Sequence, residues 1–251
     1  MIAVILLINL VVGILIGISG IAGFLIPITL NGFLGMPLTE ALALSFISFL
    51  TSGILGALAY MKQGHLDFGI ATPLCIGSLF GAFAGVQLNL IIPVDIAKIL
   101  LYSVVLFSGI SLIVRRQKDN EGKVASNYLR NKGVLIIMGF ATAAICSLTG
   151  AGGPVLMVPL LASLGVNLRM AVGISLLDSI AIALPAFIGY FGNSNLDNMM
   201  LLAVVSVAAH GVGVLAGANF SGKINLKSLK YIVAGLAISS SCYMLAVNLI
   251  N

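Results

Sequence analysis

The chain has 251 residues, of which 60% are hydrophobic and only 8% are charged, with a formal net charge of +5. A soluble globular domain carries roughly 25% charged residues, so the composition excludes a water-soluble fold and indicates a protein embedded in the lipid bilayer. Because lipid satisfies no backbone hydrogen bonds, we predict an all-α polytopic membrane protein. The basic residues lie between apolar segments, as in cytoplasmic loops of membrane proteins, and do not indicate a nucleic-acid partner.

Four apolar segments precede a basic stretch and four follow it. They cover about 2–35, 38–61, 67–90 and 95–114 in the first half and about 132–164, 169–191, 197–220 and 226–249 in the second. The later segments of each half have the length of one helical crossing, which needs about 20 residues. The first segment of each half is too long for one crossing and short for two. We therefore predict a first transmembrane repeat over 1–114, a basic cytoplasmic loop over 115–131 and a second repeat over 132–251.

A constant offset of 130 residues relates the two halves. The pairs that share this offset are Gly20 with Gly150, Gly23 with Gly153, Ser45 with Ser175, Tyr60 with Tyr190, Asp67 with Asp197, and Gly81 with Gly211. A shared apolar composition would not readily place tyrosine and aspartate at one offset without gaps. The sequence therefore predicts an internal duplication.

Helix breakers cluster near the middle of each long first segment. The clusters are residues 17–23 with Pro27, and residues 149–154 with Pro159. Glycine costs ~1 kcal/mol in a helix and proline ~3 kcal/mol, so we predict that the first segment of each repeat is broken or re-entrant. Tolerated packing glycines are the alternative interpretation.

The charge distribution favours segments that return to their starting side. In that arrangement eleven of the twelve basic residues are cytoplasmic, and only Lys98 is outside. Eight straight crossings would place Lys98, Arg169, Lys223 and two further lysines outside, against the positive-inside rule. We predict two inverted repeats in the inner membrane of a bacterium or archaeon, with both termini extracytoplasmic. A hairpin of two short crossings would give the same sidedness.

The second breaker cluster resembles the glycine-rich signature of the TauE/SafE (sulfite exporter) family of anion transporters. The resemblance rests on Thr149-Gly-Ala-Gly-Gly-Pro and on a weaker copy, Ser19-Gly-Ile-Ala-Gly, in the first half. Ala22 stands where the first motif usually has another glycine. The resemblance implies a secondary transporter of a small anion, such as sulfite, thiosulfate, an organosulfonate or a short carboxylate. It selects neither the anion nor the direction of transport.

An anionic substrate is also expected on physical grounds, independently of that resemblance. A helix broken inside the membrane exposes unpaired N–H groups at the start of the next helix, and these favour negative charge. We predict that the two breaks face each other around one central site. The predicted substrate-binding residues are Ser19, Gly20, Gly23, Ser45, Ser147, Thr149, Gly150, Gly152, Gly153 and Ser175. For each hydroxyl, a bond to its own helix backbone is the alternative.

Asp178 and His210 are ionisable residues within apolar segments. Such groups are costly in a membrane and are usually functional, and histidine titrates in a useful range. We hypothesise that Asp178, together with His210, carries the proton in anion–proton coupling. A structural hydrogen bond, or an ion pair of Asp178 with Arg169, is the alternative. The first half has Ser48 and Phe80 at these positions, so the coupling would be asymmetric.

Other repeated residues have simpler interpretations. Asp67 and Asp197 each precede an apolar helix, which favours a role as N-cap. Gly77, Gly81 and Gly85, with Gly213 and Gly217, have the spacing of close helix contacts between the halves or between subunits, which leaves a homodimer open.

Competing functions have weaker support in the sequence. Hydrolysis in a membrane needs paired carboxylates, an activated nucleophile or a metal cluster, and the chain offers one buried aspartate and one buried histidine. The single cysteines have neither disulfide nor metal-ligand spacing. We therefore expect no enzyme, no metal site and no cofactor. An anion channel is the stronger alternative, because broken helices also build pores.

Overall fold

The computed structural model describes residues 2–20, 22–114, 127–194, 198–220 and 226–250. These residues form helices and turns without any strand, so the all-α prediction is confirmed. The helices are α1 (Ile2–Ser19), α2 (Leu25–Pro27), α3 (Leu38–Lys62), α4 (Phe68–Ile91), α5 (Val94–Val114), α6 (Lys132–Thr149), α7 (Gly153–Ser163), α8 (Leu168–Gly192), α9 (Met199–Phe220) and α10 (Leu226–Ile250). A π-helical stretch (Ile28–Phe33) follows α2, and a 3-10 turn (Asn127–Arg130) precedes α6. Most of the predicted basic loop, Asp197 and Lys223 lie outside the described residues.

Seven helices among the described residues are long and apolar enough to cross a membrane. They are α1, α3, α4, α5, α6, α8 and α9. The helix α7 and the stretch Ala237–Val247 within α10 are apolar but shorter. Large apolar side chains such as Phe80 and Ile137 are more than half exposed at the surface, and lipid rather than water would cover a surface of this kind.

The two halves of the chain interlock. Helix α1 packs along α9, and α4 packs along α6, so each long first helix lies against a helix of the other half. Helix α3 packs on its equivalent α8, and α5 packs on its equivalent α10. If each helix is replaced by the equivalent helix of the other half, the contact of α1 with α9 becomes that of α6 with α4. The contacts of α3 with α8 and of α5 with α10 stay the same. The helices α3 and α8 form the centre of this arrangement.

Glycines make the contacts between α4 and α6 very close. A Cβ on Gly77, Gly81 or Gly85 would overlap the backbone of α6. Gly213 and Gly217 of α9 lie equally close to the backbone of α1. The prediction of close helix contacts from the small-residue spacing is confirmed, and the contacts join the two halves of one chain.

The central helices α3 and α8 run antiparallel. Gly173 of α8 lies opposite Tyr60, Leu176 lies opposite Gly56, and Ile180 lies opposite Gly53. Residue numbers thus rise along one helix as they fall along the other. By contrast, α6 residues 136, 140 and 144 follow Gly77, Gly81 and Gly85 in the same order, so α4 and α6 run parallel.

The helix ends follow the local sequence. The Asp67 side chain accepts a hydrogen bond from the Gly69 N–H at 2.8 Å, which confirms its predicted role as the N-cap of α4. Asn131 and Asn167 cap α6 and α8 in the same way. Helix α7 begins at Gly153, and Pro154 is its second residue. The N–H that proline lacks would have had no partner within the helix, because this residue lies in the first turn.

Candidate functional site

The helices α1 and α6 end in the same local geometry. After Ser19, Gly20 has φ +74° and donates its N–H to the Ile16 carbonyl at 2.7 Å. After Thr149, Gly150 has φ +75° and donates to the Cys146 carbonyl at 2.8 Å. This left-handed conformation favours glycine, which has no Cβ. The paired glycines of the sequence therefore terminate helices at matching positions in the two halves.

The chain restarts differently after each end. Helix α7 is 11 residues long, and its N-cap residue Gly152 has φ +85°. Among the described hydrogen bonds, none has the N–H of Gly152 or Gly153 as its donor. The first half has only the three residues of α2 before the π-helical stretch. The second break therefore presents the longer helix start, with two buried amide hydrogens that have no partner among these residues.

The two broken segments, α1 with α2 and α6 with α7, both lie against the central helices α3 and α8. Gly150 packs against Leu42 of α3, and a Cβ built on Gly20 would lie 2.9 Å from Val172 of α8. Leu42 and Val172 are themselves related by the offset of 130 residues. Pro27 of the first broken segment lies 3.8 Å from a Cβ built on Gly150, so the two broken segments also adjoin each other.

Two buried tyrosines bind the ends of the interrupted helices. The Tyr190 hydroxyl donates to the Ser147 carbonyl at 2.7 Å, and the Tyr60 hydroxyl donates to the Ile18 carbonyl at 3.1 Å. Carbonyls in the last turn of a helix lack the usual N–H partner. In the sequence these tyrosines served only as markers of the duplication, and this role was not predicted. Two phenol groups at equivalent positions within apolar segments could have indicated that each has a buried hydrogen-bond partner.

A buried amide makes a third contact of this kind. The Asn89 side chain of α4 donates to the Leu148 carbonyl at 2.6 Å. This contact was not predicted. An asparagine near the end of an apolar helix has many possible partners, and nothing in the local pattern points to the end of α6.

The predicted site hydroxyls donate to their own helices. Their acceptors are the carbonyls four residues earlier, in the pairs Ser19 with Leu15, Ser45 with Ala41, Ser147 with Ala143, Thr149 with Ile145, and Ser175 with Ala171. A hydroxyl carries one proton, so in this conformation each proton is already used. The role of these hydroxyls at a substrate site stays a prediction.

Asp178 is fully buried. Its polar neighbours are Ser78 and Cys75 of α4, which lie close enough to interact with the carboxylate, although no hydrogen bond of standard geometry reaches its oxygens among the described residues. Cys146 of α6 lies on the same side. Among the described residues, Arg169 makes no ion pair with Asp178, so that alternative has no support.

His210 belongs to a different cluster. Its Nδ1 lies 3.1 Å from the Asn9 carbonyl, which can only accept, so Nδ1 carries the proton. The Asn9 side chain accepts from Ser48 at 2.8 Å and donates to Ser206 at 3.3 Å. This cluster joins α1, α3 and α9, whereas the neighbours of Asp178 are on α4 and α6. Within the described ranges, no hydrogen bond reaches His210 Nε2.

An apolar groove of about 410 Å³ lies between α4, α5 and α6. Its lining is apolar except for Thr149 and does not include Gly152 or Gly153. An anion in this groove would lose its hydration without gaining hydrogen bonds from those amides. The groove is therefore not our candidate for the anion site.

Comparison with known proteins gives a family and a relative that each match most of the chain. The model of the family described as "Sulfite exporter TauE/SafE" matches residues 5–244. The chain is also 26% identical over 249 residues to a protein of Bacillus subtilis (strain 168) named "Probable membrane transporter protein YdhB", covering 93% of this chain and 97% of the relative. No solved structure matches the chain.

Proposed function

Because the chain belongs to the sulfite exporter TauE/SafE family of membrane transporters, we propose that it is a secondary transporter that moves a small anion across the inner membrane. The substrate class is sulfite, thiosulfate, an organosulfonate or a short carboxylate. The anion binds where the two broken segments approach α3 and α8. The observation that carries this proposal is the start of α7, where the buried N–H groups of Gly152 and Gly153 have no partner among the described residues.

Two physical effects favour an anion at the start of α7. The aligned peptide dipoles of a helix give its N-terminus a partial positive charge. Unpaired N–H groups in a low-dielectric interior are costly, and an oxyanion would accept hydrogen bonds from both. Gly152 and Gly153 have no side chains that would keep the ligand from the backbone.

The direction of the central helices supports inverted repeats. If all eight apolar segments crossed straight through, α3 and α8 would each be the second crossing of their half and would run parallel. Their antiparallel contact instead supports a first segment that returns to its starting side in each half. That arrangement makes the 115–131 loop cytoplasmic and puts both termini outside.

Asp178 is our candidate for coupling the anion to protons. In the first half, Ser48 occupies the position equivalent to Asp178, and its hydroxyl donates a hydrogen bond to the Asn9 side chain. The equivalent of Asn9 is Gly139, and a Cβ there would overlap the Leu74 carbonyl, so position 139 cannot bind Asp178 as Asn9 binds Ser48. A buried carboxylate without an amide or cationic partner is costly, and reversible proton binding gives a reason to retain it. His210 is fixed by the Asn9 carbonyl, and its role in coupling rests on its free Nε2.

The proposal is tested by counterflow in proteoliposomes with sulfite, thiosulfate, alkylsulfonates and short carboxylates. We expect saturable, gradient-coupled flux of at least one of these anions. Gly152→Ala is expected to abolish it, since the added methyl group would keep an anion from the amide hydrogens, in addition to straining the backbone at φ +85°. Gly165→Ala is the matched control, because Gly165 also has positive φ (+93°) but has no atom near its missing Cβ. Absence of flux with every anion would refute the transport proposal.

The kinetics also separate a carrier from an anion channel. Flux through a channel would rise linearly with concentration and would show no counterflow. For proton coupling, Asp178→Asn is compared with Asp67→Asn, which alters only a helix cap. If Asp178→Asn leaves the pH dependence of transport unchanged, Asp178 is not the coupling residue.

A further inference from the structure

The ring of Phe49 lies between the two breaks. A Cβ built on Gly23 would be 2.9 Å from Phe49 Cε1, and one built on Gly152 would be 3.4 Å from Cε2 and Cζ. The outer edge of one ring therefore touches both broken segments. Phe49 is only 3% exposed, so its ring fills this space rather than lining an open cavity.

The ends of α1 and α6 lie at different levels along the central helices. Val172 of α8 packs on Gly20 and Tyr60 of α3 binds the end of α1, whereas Leu42 of α3 packs on Gly150. Phe49 lies between Leu42 and Tyr60 along α3, next to Gly23 and Gly152. An anion that moved from the end of one helix to the end of the other would therefore pass this ring.

The second half has no equivalent ring. The residue related to Phe49 by the repeat is Ser179, whose hydroxyl donates to the Ser175 carbonyl at 2.9 Å. Ser179 Oγ would lie 3.1 Å from a Cβ built on Gly153. The first half therefore places an aromatic ring against both breaks at the position where the second half has a serine.

Contacts with other aromatic rings hold Phe49 in place. Phe46 meets it edge-on, with ring centroids 5.6 Å apart and planes at 87°. Phe46 in turn stacks on Tyr190 at 5.7 Å and 10°, and Tyr190 binds the Ser147 carbonyl. The orientation of the ring is thus linked to the end of α6. The edge of an aromatic ring carries partial positive charge, so it can face an anion without repelling it.

We propose that Phe49 is the size-selecting barrier on the anion path between the two breaks. The ring turns aside as an anion passes, and the space that it leaves sets the largest substituent that an oxyanion can carry. This inference rests on the proposed anion transport through the breaks. It assigns preference for small oxyanions over bulky organosulfonates to one side chain.

The test compares initial counterflow rates of sulfite, methanesulfonate and butanesulfonate in proteoliposomes. Phe49→Ala is expected to raise the rate of butanesulfonate relative to sulfite by about tenfold or more, the scale on which pockets discriminate single methylenes. Phe49→Leu keeps more of the side-chain volume and is expected to give a smaller change in the same direction. Phe187→Ala is the control, because Phe187 pairs with Phe191 and not with a break.

The ratio of rates distinguishes a barrier from a structural role. Loss of packing alone would lower the rates of all three anions together and leave their ratio unchanged. An unchanged ratio in whichever of Phe49→Ala and Phe49→Leu folds would overturn the inference while leaving anion transport intact. If the wild-type protein carries none of the anions, the proposed function itself fails.

Discussion

Removal of the Tyr190 hydroxyl tests whether the tyrosines fix the ends of the interrupted helices. Tyr190→Phe keeps the stacking on Phe46 and deletes only the bond to the Ser147 carbonyl at 2.7 Å. The backbone N–H that would serve this carbonyl in a continued helix belongs to Ala151, which instead points to the Thr149 hydroxyl at 3.4 Å. The substitution therefore leaves a buried carbonyl without a partner.

The cost follows from the burial of both groups. Leaving a buried acceptor unsatisfied costs about 1–3 kcal/mol. For a chain of this length, 1 kcal/mol corresponds to about 2–4 °C in Tm, so we expect Tm to fall by about 2–12 °C. Tyr60→Phe is expected to cost less, because its bonds to the Ile18 and Gly17 carbonyls are longer, at 3.1 and 3.4 Å. Counterflow should fall with Tyr190→Phe, since the end of α6 positions the adjoining break.

A thiol-reactive dye measures Tm in detergent, because unfolding exposes the buried thiol of Cys146. Tyr102→Phe is the matched control: Tyr102 is also buried, but its hydroxyl makes no hydrogen bond with a described residue. If Tyr190→Phe and Tyr102→Phe have the same Tm and the same counterflow rate, the hydrogen bond to Ser147 does not hold the end of α6.

Three further outcomes follow from the packing and the topology. Gly81→Ala pushes a methyl group into the backbone of Phe140, and overpacking of this kind costs about 1–3 kcal/mol, so Tm should fall, whereas Gly192→Ala has free space and should not lower it. Asn9→Ala removes a buried amide that bonds the Ser48 and Ser206 hydroxyls and the Ile5 carbonyl, and should lower Tm more than Ser78→Ala, which removes a single hydroxyl; equal effects would contradict the assignment of Asn9 as a structural bridge. In a variant without native cysteines, Asn251→Cys should react with a membrane-impermeant maleimide in intact cells, and Lys62→Cys should not; the reverse pattern would invert the proposed topology.

Local features of the fold could be predicted from the sequence. The apolar composition predicts membrane-spanning helices. Because positive φ favours glycine, the matched geometry of Gly20 and Gly150 follows from residues close to each other in the chain. The cap at Asp67 and the own-helix bonds weighed for the serines are local for the same reason. Each of these features depends on contacts within about one helical turn.

Long-range features could not be predicted in the same way. The spacing of Gly77, Gly81 and Gly85 indicates a close partner but not which one, and the partner is α6 of the other half. The acceptor for Tyr190 lies 43 residues earlier in the chain. Asp178 and His210 belong to different clusters because α8 and α9 face different neighbouring helices. Hydrophobic periodicity does not show which neighbour a helix faces when its lipid-exposed and protein-exposed sides are both apolar.

The interlocked packing determines which parts of the molecule can move as units. The backbones of α1 and α9 touch through glycines, as do those of α4 and α6, so neither pair has room to slide or separate. Helix α3 also packs on α9, and α8 also packs on α4. The tightest units are therefore α1 with α9 and α4 with α6, and each pair contains one helix from each half of the chain. Phe49 of α3 lies next to Gly23, which follows α1, and next to Gly152, which follows α6, so a motion of one pair relative to the other would change the space around this ring before it changed any contact within a pair.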